Sequence, residues 1–210
     1  RLHSGFSTSI VSAVSGDHWL IRSSAAVQPA LHIFSAAPLA TAATLANPFI
    51  LQQTANSAEF VTLLFPTDAA HLVPTNFETI RTNIVSGFKV QDDLILSNRY
   101  LRQRFQERGI DSDAKYVFVR NSGANRIFSA VDAKSLFVSS AGVSLISSVA
   151  ATFALEVSND TYRLWMGRAY VRGTATAPST DLAMKVDKAN TSYLVVFNVQ
   201  PHGESYDSTL

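Results

Sequence analysis

Lys115-Tyr-Val-Phe-Val-Arg120, Asn121-Ser-Gly123 and Asn125-Arg-Ile-Phe-Ser-Ala-Val131 together decide how this chain folds. The outer runs are rich in β-branched and aromatic residues, and the middle has turn composition. This is the signature of two strands joined as a hairpin. Downstream, the same short runs recur at Ser135–Val138, Val143–Ile146, Ala151–Val157, Tyr162–Met166 and Tyr193–Val199, with a turn at Ser139–Gly142. Upstream lie Leu94–Leu96 and an alternating stretch from Phe77 to Val85 that continues through Gly87–Val90. Glu59–Phe65 is almost continuously apolar, which predicts a strand covered on both faces. Pro66 is expected to end it, because proline cannot donate to a sheet ladder. Phe49–Gln53, Ala30–Phe34 and His18–Arg22 read as strands. The last is expected to pair with Phe6–Val14 across Ser15-Gly16-Asp17. Ser35–Ala46 and residues 66–76 read as irregular loops.

Turn signals about every 8–12 residues predict an all-β, antiparallel β-sandwich. Residues 1–200 are expected to form the sandwich region, with an internal seam at 66–76 or 91–109, and residues 201–210 a polar tail. At most one short helix is expected, near residues 97–108. There Ser97 and Asn98 are capping types, Leu101 and Phe105 are spaced i, i+4, and Gly109 follows. An extended excursion is the alternative, since about ten residues make a marginal helix. No period repeats along the chain, which argues against a propeller or solenoid.

The 210 residues are 47% hydrophobic and only 16% charged, with a net charge of +1 and no cysteine. Serine, threonine and alanine fill the surface, as in many extracellular β domains. The charge balance gives no reason to expect nucleic acid or an anionic membrane as partner. No run approaches the ~20 apolar residues of a membrane-spanning helix. Without cysteine there is no disulfide, thiolate metal site or cysteine nucleophile.

No G-x-S-x-G elbow, phosphate-binding loop or dinucleotide fingerprint occurs, so no catalytic residue is assigned. His3, His18 and His32 fall on neighbouring expected strands with Asp17 adjacent, a donor set suited to structural zinc. No two of them share the spacing that holds paired ligands on one element, and ordinary strand histidines are the default reading. Asp111-Ser-Asp113 resembles the start of a calcium loop without completing one. No other cofactor is expected. Arg99, Arg102, Arg104 and Arg108 form a basic cluster whose guanidinium forks suit the carboxylates and sulfates of an acidic polysaccharide. A solvated helix face is the plainer alternative. Among aromatics that could stack on a sugar, Tyr170 is expected to be exposed and Trp165 to be core.

Asn47-Pro-Phe-Ile-Leu-Gln-Gln53, Glu59–Thr67, Tyr116–Arg120, Ile127–Leu136 and Val143–Ser148 follow one another in an order that resembles the C-terminal β-sandwich of heparinase II/III-like, alginate-lyase-like polysaccharide lyases. The likeness spans about residues 18 to 157 and is one of pattern rather than of a diagnostic motif. It implies a secreted or periplasmic bacterial protein acting on acidic polysaccharide by β-elimination. In that family the catalytic groups sit largely on an N-terminal helical toroid, and long amphipathic helices are missing here. The resemblance therefore implies a non-catalytic accessory β-sandwich that walls the cleft beside an N-terminal catalytic region of the same protein. It also implies a structural metal held by histidines, for which His3, His18 and His32 are the candidates. Arg99, Arg102, Arg104 and Tyr170 are the candidate carbohydrate contacts. The alternative is a structural or adhesive β-sandwich of a cell-surface assembly.

Overall fold

A computed structural model describes residues 9–15, 17–23, 29–37, 41–45, 49–54, 56, 59–158, 161–167, 180–188, 191–199 and 205–209, with side chains described no further than Ser158. The described residues are nearly all strand, paired antiparallel, as the alternating pattern predicts. Their helical content is a single 3-10 turn at Ser139–Ala141. Among them no helix is long and apolar enough to cross a membrane. The chain divides into two compact units at Gln91 and Asp92.

In the first unit β1 (Ser9–Ser15), β2 (His18–Ser23), β3 (Ala30–Ser35) and β6 (Thr62–Thr67) form a sheet in the order β1-β2-β3-β6. Period-two alternation gives this sheet two apolar faces. On one, Trp19, Ile21 and Ile33 are buried with Phe49, and Val11, Leu31, Ala43 and Leu51 pack around them. The hairpin of β4 (Ala42–Thr44) and β5 (Ile50–Gln52) supplies Ala43 and Leu51. On the other face Phe34 is buried with Ala36 and Phe88, and Leu63 and Phe65 pack there with Phe77 and Val90. Phe77, Phe88 and Val90 come from the hairpin of β7 (Phe77–Arg81) and β8 (Val85–Val90). Each buried large apolar side chain contributes roughly 1.5–3 kcal/mol to this packing.

Three expectations for this unit need correction. The Ser35–Ala46 loop contains a strand, β4. The run from Phe77 to Val90 is two strands, because Thr82 turns the chain. Its Oγ1 accepts from the Ile84 and Val85 amides, and its own N–H donates to the Val85 carbonyl. Such a local hydroxyl–backbone bond competes with strand continuation. Finally, Pro66 lies inside β6 opposite Leu31 instead of ending it. It is tolerated because β6 is the sheet's edge strand, the position to which proline is confined within sheets. Nor is β6 covered on both faces: Thr62, Leu64 and Pro66 are exposed.

The second unit is built on two long strands, β13 (Asn125–Val138) and β14 (Val143–Ser158), joined by the 3-10 turn. β9 (Asp93–Asn98) pairs β12 (Tyr116–Arg120), and β12 pairs β13 with Tyr116 opposite Val131. The hairpin of β10 (Phe105–Glu107) and β11 (Ile110–Ser112) continues along the far half of β13. On its other side β14 pairs first β16 (Thr180–Lys188) and then β15 (Thr161–Gly167). β17 (Thr191–Val199) adds to β16 and β18 (Ser205–Thr209) to β15. Register shifts at Ala130, Ala133 and Ser135, with Asp132 at φ 52°, bend β13. Bulges of this kind increase local twist. Phe128, Leu136, Leu145, Phe153 and Leu155 are fully buried along the two long strands.

Of the two readings of residues 97–108, a short helix or an extended excursion, the extended one holds. Asn98 closes β9 fully buried, accepts from the Tyr100 amide through Oδ1 and donates to the Gln103 carbonyl from Nδ2. This side chain offers the backbone a turn in place of a helix. Arg102 follows at φ 61°, outside the helical region. Leu101 is then 61% exposed while Phe105 is buried, so the i, i+4 pair never shares a face.

Candidate functional site

Three groups of polar side chains deserve comparison. The first grows out of β2 and β3. Antiparallel register sets His18 opposite Phe34 and Leu20 opposite His32, so the two imidazoles are diagonal neighbours on one face. Nε2 of His18 and Nδ1 of His32 are 2.8 Å apart and share a hydrogen bond. His18 also stacks on Phe34, with centroids 4.1 Å apart, and Phe34 in turn meets Phe77. Burial holds His18 below the ordinary imidazole pKa, and the neighbouring His32 charge pushes the same way. Burial alone lowers His32. Sequence reading thus places these two histidines on adjacent strands, and the structure brings them into contact. His3 lies outside the described residues, as does Tyr170. Asp17 turns away to Arg81, whose Nη2 donates to Asp17 Oδ2 and the Ser35 carbonyl, both at 2.6 Å. Among the described residues no group of three or more histidines and carboxylates is placed to hold a metal ion.

The second group is the turn after β9. Arg99 lies 5.8 Å from the ring of Tyr100, and Arg102 reaches Asp132 at 3.4 Å. Lys115 donates to the Asn98 carbonyl at 2.5 Å and stands 5.6 Å from the ring of Tyr116. Tyr100 and Tyr116 are each 50% exposed. The turn and the adjoining start of β12 therefore carry two half-open aromatic rings, each with a cation over it, and Asn98 braces the turn. Sequence reading singled out Arg99 and Arg102 but missed Tyr100, Tyr116 and Lys115. Only the pairing of β12 against β9 brings residues 97 and 116 together.

Arg104 belongs to a third group. Its Nε and Nη2 donate to the two oxygens of Asp111 at 2.6 and 2.9 Å, and Gln106 donates to the same carboxylate. The Arg104 hydrogen bond holds the Asp111 carboxyl below the usual range. The Arg104 fork, a candidate for a substrate carboxylate, is filled by one from the protein. Asp113, the other acid of the calcium-like segment, accepts from the Lys134 and Ser135 amides through Oδ1. Both acids therefore serve the local β framework.

No family model matches this chain, and no curated protein matches it.

Proposed function

We propose that this chain is the accessory β-sandwich region of an exported protein that works on acidic polysaccharide, binding the polymer rather than cleaving it. The observation that carries this reading is the turn after β9. Arg99 stands over the half-exposed ring of Tyr100 and Lys115 over that of Tyr116, with Arg102 in the same turn. Aromatic faces pack against sugar rings while guanidinium and ammonium groups meet uronate or sulfate. The Arg102–Asp132 contact is long and exposed. Such a pair contributes under about 1 kcal/mol and exchanges readily for a ligand carboxylate. The resemblance of its sequence segments to those of heparinase II/III-like lyases points to the same class of substrate.

Affinity electrophoresis of the chain in gels containing alginate, heparin or chondroitin tests the proposal. Retardation by at least one polymer is expected, weakened by raised salt and largely lost in the Arg99→Ala/Arg102→Ala variant. Equal mobility in all gels would overturn it and favour the structural or adhesive alternative.

A further inference from the structure

An open groove of about 660 Å³ lies over the β10–β11 hairpin and the 3-10 turn, away from the turn at Asn98. Its floor is set by register. Gln106 faces Asp111, Asp111 faces Phe137, and Phe137 faces Ser144. These four residues therefore form one row across β10, β11, β13 and β14, and all four line the groove. The adjacent row of Phe105, Ser112, Leu136 and Leu145 is buried. Alternation accordingly turns the Gln106–Ser144 row to solvent.

The charges along this groove cancel. Asp111 holds Arg104 through two hydrogen bonds, and Glu107 pairs with Arg108 at 3.5 Å. Each arginine has its own carboxylate, so the surface offers hydrogen-bonding groups without net charge. The bonds among Arg104, Asp111 and Gln106 fix those groups in place. Beside them the Phe137 ring supplies an apolar surface, with the Arg104 guanidinium 5.7 Å from its centroid. Gly109, at φ 76°, keeps the rim narrow. A Cβ there would stand 2.7 Å from Ser139 Oγ, which donates to the Gly109 carbonyl.

We infer that this groove is a second saccharide site, and that it takes uncharged sugar units. A pyranose has an apolar face and a periphery of hydroxyls that both donate and accept. A fixed, charge-balanced polar row beside an aromatic ring matches both features. The inference rests on the reading of the chain as a polysaccharide-binding protein and adds the class of sugar bound at this place.

The full chain, labelled with nitrogen-15, is titrated separately with cellohexaose, mannohexaose and an alginate hexamer while its amide resonances are followed. A neutral hexasaccharide is expected to shift amides of residues 106–111 and 137–144. Its affinity should hold between about 0.05 and 0.5 M NaCl, since no charge is screened. It should fall at least about tenfold in Asp111→Asn, which loses a charge-assisted hydrogen bond. Ser144→Trp, which fills the groove without touching the Arg104 network, should do the same, and Arg102→Ala should not. Three results would each overturn the inference: shifts with alginate alone, neutral binding that both groove variants leave intact, or no shift with any neutral probe. Salt-sensitive retardation through Arg99 and Arg102 is read in a different experiment, so either site can fail while the other stands.

Discussion

At the scale of single residues, the His18–His32 contact is the feature most sensitive to solution conditions. The hydrogen bond needs one ring nitrogen to accept, so both rings cannot be doubly protonated and remain bonded. Both imidazoles are held below their ordinary pKa, by burial first and, for His18, by the His32 charge second. The unfolded chain therefore takes up protons at a higher pH than the folded one. Stability from this pair is complete above about pH 6.5 and is lost as pH falls through the lowered folded values. Melting temperature is expected to drop between about pH 7 and pH 5, before the carboxylates titrate. His32→Gln, which can still hydrogen-bond but does not titrate, should flatten that drop. Identical pH profiles for the two proteins would exclude the pair as the cause. The sequence placed these histidines on neighbouring strands, but a two-residue diagonal offset is a matter of register, which spacing along the chain does not reveal.

At the scale of elements, the segment after β9 shows how one buried polar side chain overrides a local preference. Capping residues, an i, i+4 apolar pair and a terminal glycine all favour a helix. Asn98 is fully buried and commits both ends of its amide to the turn. Replacing it with alanine leaves the Tyr100 amide and the Gln103 carbonyl without this partner. The expected cost is about 2 kcal/mol, read from urea unfolding, together with weaker retardation in polyanion gels because the turn no longer holds Arg99 and Arg102 in place. Unchanged stability and mobility would show that the turn forms without it. Elements with strict alternation, such as β12 and the first half of β13, were legible because their apolar rows must face a core. The Thr82 turn and β4 were not. A hydroxyl bonded to the backbone ends the first, and the second is three residues long within an alanine-rich stretch.

On the scale of the whole molecule, the all-β architecture was legible because short alternating segments leave no other way to bury their inner rows. The continuity of β13 and β14 was less so. Each reads as two strands, since bulges that bend a strand resemble the turns that end one. The candidate sites were legible only in part, because cross-strand pairing assembles them from residues far apart in sequence. Arg120 with Asp93 bridges two strands, and Arg81 with Asp17 and Arg104 with Asp111 each tie a strand to a neighbouring turn; the whole sequence is only 16% charged, with a net charge of +1. With so little charge repulsion between copies, the outer row of β6 becomes important. Leu64 is 44% exposed there, and Pro66 interrupts the donors along the strand. Proline at an unpaired edge is a guard against strands of separate molecules zipping together. Pro66→Val is expected to leave the monomer fold intact yet raise the dimer and aggregate fractions in sedimentation velocity, increasingly with concentration. One imino ring would then be what keeps a nearly neutral, strand-rich protein from polymerising through its own border.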